Sequence, residues 1–109
     1  MNDRILGLLG LCRRAGKLTP GNDAVIDDIQ NHRASLVVVT ADISKNTEKK
    51  LTTACRRFDS EIVTLNRSKE ELSFAIGKFS TVVAVCDEGF AKKLYELITN
   101  ENKEENVYD

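Results

Sequence analysis

The sequence predicts an α/β fold, a three-layer α/β/α sandwich around a small, mixed sheet of about four strands. Two apolar runs, residues 36–39 and 82–85, are typical of strands covered on both faces. Amphipathic helical patterns alternate with such runs, and the connections have lengths suited to crossovers. Because 109 residues can bury one core, we expect a single domain over residues 1–100 and an acidic, disordered tail over residues 101–109.

The N-terminal segment predicts a helix that Asn2 or Asp3 caps and that Gly16 ends. Its apolar positions follow helical spacing and are Ile5, Leu8, Leu9 and Cys12. Residues 17–19 are expected to be extended, and a second helix is expected over residues 20–31, because proline is tolerated in a first turn. The apolar stripe of that helix is Val25, Ile26 and Ile29.

The remaining chain repeats the alternation of strand and helix. Ser44 is expected to cap a third helix, and Asp87 a fifth. Ser68 and Glu71 have the spacing of a capping box, which opens a fourth helix that Gly77 should end. The strands between these helices are expected over residues 36–39, 61–65 and 82–85.

Composition excludes several classes of protein. With 16 basic and 17 acidic residues, the chain is not a generally basic nucleic-acid binder. Cys12, Cys55 and Cys86 are too far apart for paired zinc ligands, and His32 is the single histidine, so we expect no metal, no other cofactor and no disulfide framework. The apolar run at residues 5–12 is too short for a membrane span. It is followed at once by Arg13 and Arg14 and has Leu11 where an export signal needs a small residue before its cleavage site, so we expect no export signal. We therefore expect a cytoplasmic protein that has no membrane partner.

The candidates for catalysis are few. His32 falls at a predicted helix end, and Cys86 precedes Asp87 and Glu88, whose charges would raise the pKa of a thiol. Residues 10–18 end in Gly-Lys like a phosphate-binding loop, but they lack its first glycine and its Ser/Thr, and they follow no strand. We therefore expect neither an enzyme nor a small-molecule substrate.

Basic residues and glycines cluster at the predicted helix ends. Arg13, Arg14 and Lys17 follow the first helix, Gly21, Asn22 and Asp23 open the second, and Lys78 follows Gly77. A helix start with free N–H groups beside lysines can hold a phosphodiester. The alternative is that all of these are merely solvated helix ends.

The order of motifs along residues 4–98 resembles the bacterial, YlxQ-like branch of the kink-turn RNA-binding ribosomal protein family. The matching residues are 8–11, 13–18, Gly21, 34–38, Asp42, Ser44, Asn46, Thr47, 76–78, 83–85, Asp87 and 89–91. The resemblance implies a non-enzymatic RNA-binding protein with a small α/β/α sandwich fold. It also implies that the start of the second helix enters the RNA major groove at a sharp bend, while the loop after the fourth helix covers an extruded base.

Carried onto this chain, these surfaces are Gly21, Asn22, Asp23, Ala24 and Asp27, followed by Ile76, Gly77, Lys78 and Phe79. Some positions depart from the family pattern. Asp23 and Ala24 replace an Asn-Glu pair, Asp27 replaces a lysine and Ser73 replaces a glycine. An aspartate in place of a lysine is expected to repel a nearby phosphate.

The leading hypothesis is a monomeric RNA-binding protein of the translation machinery whose partner is structured, kink-turn-type RNA. Its binding residues would be Arg13, Arg14, Lys17, Gly21, Asn22, Asp23, Ile76, Gly77 and Lys78. The rival hypothesis is a protein-interaction adaptor on the same fold, in which a basic third helix meets an acidic partner through Lys49, Lys50, Arg56 and Arg57.

Overall fold

The computed structural model describes residues 3–106, and it contains five helices and four strands over that range. In chain order these are α1 (Arg4–Arg14), β1 (Leu18–Pro20), α2 (Asn22–Gln30), β2 (Leu36–Thr40), α3 (Lys45–Phe58), β3 (Ile62–Leu65), α4 (Lys69–Ile76), β4 (Val82–Val85) and α5 (Glu88–Asn106). No helix in this range is both long and apolar enough to cross a membrane.

The strands form one mixed sheet in the order β1-β4-β2-β3. β4 is antiparallel to both β1 and β2, and β2 is parallel to β3. As a result β1, β2 and β3 all end at the edge of the sheet where β4 begins. We call this edge the upper end of the sheet, and the strand residues there are Pro20, Thr40, Leu65 and Val82. The predicted α/β fold with a small mixed sheet is confirmed.

Helices cover both faces of the sheet. Because successive strand residues point to opposite faces, each strand contributes side chains to two cores. Leu36 and Val38 of β2 pack in one core with residues of α1, α4 and α5. Val37 and Val39 pack in a second core with residues of α2 and α3. The predicted buried runs are confirmed, since every residue of β2 and β4 is buried.

The predicted helix caps are also present. The Asp3 carboxylate accepts a hydrogen bond from the Leu6 N–H (3.0 Å), and the Asp87 carboxylate accepts one from the Phe90 N–H (2.9 Å). Ser44 caps α3, and Ser68 caps α4 through the expected capping box. Asn2, the alternative cap for α1, lies outside the described residues.

The start of α2 differs from the prediction. Pro20 does not open the helix but is the last residue of β1, where it is paired with Val83. Proline fits there because β1 is an edge strand and proline has no N–H to donate to a ladder. Gly21, with φ of 101°, then turns the chain into a helix that begins at Asn22.

The predicted disordered tail is helical in its first part, because α5 continues through Asn106. Arg67 donates to both carboxylate oxygens of Glu101 (2.8 and 2.9 Å) and also pairs with Asp3. The Asn102 side chain donates to the Thr64 carbonyl (3.1 Å). These contacts with residues distant in sequence stabilise the last part of α5, although its composition favours disorder. The prediction therefore ended the fifth helix too early. Residues 107–109 lie outside the described range.

Candidate nucleic-acid interface

The first turn of α2 presents uncapped backbone N–H groups to solvent. Gly21 is its N-cap residue and has no side chain, so no side chain caps the helix. The first bond within the helix runs from the Val25 N–H to the Gly21 carbonyl (2.9 Å). The N–H groups of Asn22, Asp23 and Ala24 therefore lack helical partners, and all three residues are exposed. Such a helix start carries partial positive charge and can bind an anion.

The loop between α4 and β4 is hydrogen-bonded to this helix start through Ser80. The Gly21 N–H donates to the Ser80 hydroxyl oxygen (3.0 Å), although the two residues are 59 positions apart. Ser80 is only 4% exposed, and its hydroxyl also donates to the Val82 carbonyl. The structure thus brings together the two elements predicted to form one site. We call residues 21–24 and 77–79 the cradle.

Ser73 braces the same loop from inside α4. Its hydroxyl accepts a hydrogen bond from the Ser80 N–H (3.0 Å). The glycine of the family pattern could not make this bond, so the departure at residue 73 supports the loop. Sequence reasoning missed the roles of both Ser73 and Ser80. The available signal was a pair of serines on either side of the helix-ending Gly77.

The side chains of the loop are divided between core and solvent. Gly77 ends α4 in the left-handed conformation (φ 75°), and Lys78 and Phe79 after it are exposed. Ile76, a predicted binding residue, is only 5% exposed and packs in the core beneath the sheet. Its role is therefore corrected: it anchors the end of α4, and the side chains offered to a ligand are those of Lys78 and Phe79.

The basic residues after α1 do not all reach the cradle. Lys17 lies at the opposite end of β1 from Gly21, where its carbonyl accepts from the Cys86 N–H (2.8 Å). Arg13 is half-buried, whereas Arg14 is exposed beside α4. Of these three predicted binding residues, Arg14 is thus the one that lines a groove next to the cradle's supporting helix.

Asp27 stands where the family pattern has a lysine, and an ion pair with Arg33, which Asp28 shares, offsets part of its charge. Its carboxylate contacts the Arg33 guanidinium at 2.6 Å, and the Asn31 amide donates to it at 3.1 Å. Since Arg33 supplies a positive charge at the same place, the repulsion of phosphate expected from Asp27 is reduced.

Arg33 also donates to Asp28, through its Nε atom. Asp28 in turn connects α2 to the sheet. Asp28 is buried and accepts from Arg33 Nε (2.9 Å) and from the Cys86 thiol (3.3 Å). Burial by itself would raise the pKa of Asp28, but hydrogen bonds from Thr19, Arg33 and Cys86 outweigh it and lower that pKa. The buried carboxylate is thereby kept charged, and it ties α2 to the ends of β1 and β4.

The cysteines and the histidine were the sequence's candidates for catalysis, and the structure shows the surroundings of each. Burial raises the pKa of the Cys12 and Cys55 thiols to about 11, and it also raises the pKa of Cys86. His32 is exposed and makes an edge contact with the Phe58 ring, whose centroid is 6.1 Å away. Within residues 3–106 no cluster of His, Cys, Asp or Glu side chains could hold a metal ion. The arrangement at the upper end of the sheet is suited to binding an anion.

The third helix displays its basic side chains to solvent, as the sequence predicted. These exposed residues are Lys45, Lys49, Lys50, Arg56 and Arg57. Arg57 lies over the Phe58 ring, with its guanidinium carbon 5.6 Å from the ring centroid. These residues lie on α3 and not on the start of α2 or the loop after α4, so they are a second candidate surface, for a protein contact.

Comparison with known proteins extends over most of the chain. Residues 3–95 match the sequence model of the ribosomal protein L7Ae/L30e/S12e/Gadd45 family. A Bacillus subtilis protein named RNA-binding protein YlxQ is 46% identical over 92 residues, which cover 84% of this chain and 91% of that protein. A protein of the same name from Enterococcus faecium is 40% identical over 95 residues, covering 87% of this chain and 91% of the relative.

Solved structures share the fold. A protein of unknown function from Bacillus halodurans C superposes with a TM-score of 0.84 and 34% identity, covering 90% of this chain and 99% of that one. The 15.5kD RNA binding protein of Giardia lamblia superposes with a TM-score of 0.73, covering 92% of each chain. At 18% identity, the Giardia structure supports the fold alone.

Proposed function

This chain belongs to the ribosomal protein L7Ae/L30e/S12e/Gadd45 family, and on that premise we propose that it is a non-enzymatic RNA-binding protein of the translation machinery. Its ligand is structured RNA of the kink-turn type, and it acts as a monomer in the cytoplasm. The names of the two YlxQ relatives support RNA as the partner. The observation that carries the proposal is the hydrogen bond between Gly21 and Ser80, which joins an uncapped helix start to an exposed loop.

The cradle would hold RNA mainly through backbone donors. The N–H groups of Asn22, Asp23 and Ala24 face solvent without a side-chain cap, so they are available to phosphate or base-edge oxygens. Gly21 adds no side chain, which allows nucleotides to approach the backbone closely. Recognition of this kind depends on the shape of a bent RNA more than on total charge.

The exposed loop side chains supply the remaining contacts. Lys78 offers an ammonium group to phosphate, and the Phe79 ring offers a face on which an extruded base can stack. Asp23, in the same cradle, partly offsets the charge of Lys78. Because few cations lie here, we expect a shallow salt dependence, with a slope of about 0.7–0.9 for each phosphate neutralised.

The test is a titration of the protein with a kink-turn RNA and with a plain duplex of equal length, over a series of salt concentrations. We expect tighter binding to the kink-turn RNA, with an affinity that falls as salt rises. Lys78→Glu should weaken binding about tenfold or more without loss of fold, because it places a negative charge against phosphate. Lys50→Glu, the same change at another exposed lysine, on α3, is the matched control and should leave the affinity unchanged.

Equal and negligible binding to both RNAs would contradict the proposal and favour the rival adaptor on α3. If instead Lys50→Glu weakened RNA binding as much as Lys78→Glu, the cradle would not be the binding surface. The family match and the names of the relatives favour RNA, whereas nothing on α3 beyond its exposed charges favours a protein partner.

A further inference from the structure

Phe74 is the most exposed large apolar side chain among the described residues, with 91% of its surface accessible. It lies on the outer face of α4 and directly follows Ser73, whose hydroxyl accepts from the Ser80 N–H. Ser80 in turn accepts from the Gly21 N–H. Two hydrogen bonds thus connect the turn that carries Phe74 to the cradle. The exposed phenyl ring offers a face on which a nucleic-acid base can stack.

A groove of about 270 Å³ runs between α1 and α4 beside this ring. Gly7 and Gly10 of α1 lie along it, opposite Phe74 and Ala75 of α4. At Gly10 the helices touch, since an added Cβ would come within 2.9 Å of the Ala75 carbonyl oxygen. At Gly7 an added Cβ would meet nothing within 4 Å. The groove therefore stays open because residue 7 has no side chain.

The charged groups along the groove differ in whether they are already paired. Asp3 pairs with Arg67, and the Glu71 carboxylate accepts from the Ser68 N–H. Arg14 is exposed and takes part in none of the ion pairs found among residues 3–106. The Glu71 carboxylate keeps its negative charge. Arg14 is therefore the cation of the groove that forms no ion pair among residues 3–106, and it stands beside an exposed aromatic ring.

We propose that this groove binds one unpaired nucleotide that flanks the structured RNA held in the cradle. The base stacks on the Phe74 ring, and the Arg14 guanidinium pairs with the adjoining phosphate. The inference rests on the proposed function, and it adds single-stranded flanking RNA to the ligand. An exposed aromatic face with a neighbouring arginine is the combination that binds single-stranded nucleic acid without reading its sequence.

The test compares a kink-turn RNA with the same RNA carrying four unpaired nucleotides, placed on each strand end in turn, with 2-aminopurine in the extension. We expect the extension on one of the two strands to tighten binding about fivefold or more, the lower end of what a base stacked on an aromatic ring contributes. The fluorescence of 2-aminopurine should fall on binding. Phe74→Ala should abolish both effects, and Phe74→Trp should keep them, because tryptophan retains the stacking surface.

Two further variants separate occupancy of the groove from loss of fold. Gly7→Leu fills the open space and also favours the helix, so it should abolish the gain from the extension without destabilising the protein. Leu11→Ala, at another exposed apolar position of α1, is the control and should keep the gain.

The outcomes distinguish the two proposals. If the kink-turn RNA binds the wild-type protein but neither extension adds affinity, or if the gain survives Phe74→Ala, the groove proposal is wrong while the cradle stands. If the kink-turn RNA itself does not bind, the proposed function fails and the groove proposal fails with it.

Discussion

The starts of α2 and α4 lie at the same end of the sheet but differ in how their first-turn N–H groups are capped. In α4 the Ser68 hydroxyl accepts from the Glu71 N–H (3.1 Å), and the Asp42 carboxylate accepts from the Lys69 N–H (3.0 and 3.2 Å). In α2 the N-cap is Gly21, which has no side chain, and no side-chain cap bond is formed to the first turn within the part of the chain that the structure describes. Both helices follow strands that run in the same direction, so topology does not explain the difference.

The difference separates a helix start whose N–H groups are capped by side chains from one whose N–H groups are left exposed, which we propose bind RNA. A good N-cap side chain contributes about 1 kcal/mol to stability, and α2 forgoes that contribution. The position of α2 is secured elsewhere, by Ser80 at its start and by the buried Asp28 near its end. Backbone donors that are unused yet held in place are what the proposed RNA site requires.

The largest expected effect comes from Ser80→Ala, which breaks the support of the open helix start. The buried Val82 N–H loses an acceptor, and the Gly21 N–H keeps only its longer bond to the Val82 carbonyl (3.3 Å), so the free energy of unfolding should fall by about 1–3 kcal/mol. Affinity for kink-turn RNA should fall as well, because the start of α2 loses its shorter hydrogen bond to the loop. Urea denaturation and RNA titration measure the two effects, and the exposed Ser35→Ala is the control. Unchanged stability would show that Ser80 does not hold α2.

A smaller effect is expected from Ser68→Ala, which gives α4 a poorer cap. The loss of this N-cap should lower the free energy of unfolding by about 1 kcal/mol. Affinity for RNA, compared at a temperature at which both proteins are folded, should not change, because the start of α4 is not part of the cradle. If Ser68→Ala weakened RNA binding as strongly as Ser80→Ala, the distinction between the two helix starts would be lost.

The smallest effect concerns pH and the cap that Asp42 provides. The hydrogen bond from the Lys69 N–H holds the pKa of Asp42 below its ordinary value of 3.8. A carboxyl whose pKa is lowered by folding stabilises the folded state at pH values above its ordinary pKa. This contribution is lost as the pH falls through the lowered pKa and the carboxylate is protonated. The NMR shift of the Lys69 amide should therefore titrate with a midpoint below 3.8. Asp42→Asn should remove that transition, whereas a midpoint at or above 3.8 would refute the cap.

Local patterns in the sequence were sufficient to predict most of the elements. The apolar runs of β2 and β4, the caps at Asp3, Ser44 and Ser68, and the turn at Gly77 are all present as expected. Each depends on residues within a few positions of one another, through side-chain periodicity, capping hydrogen bonds or the conformational freedom of glycine. The uncapped start of α2 was visible in the same way, because Gly21 has no side chain to cap it.

Only the folded chain decided which of the candidate residues share a surface. Strand order and register joined Gly21 to Ser80, left Lys17 at the far end of β1 and turned Ile76 into the core. Arg67 likewise extended α5 into a segment that its own composition would leave disordered. These contacts link residues tens of positions apart, and their energies depend on how strands pair and helices pack. No local pattern contains that information, because the same periodicities are compatible with several strand orders.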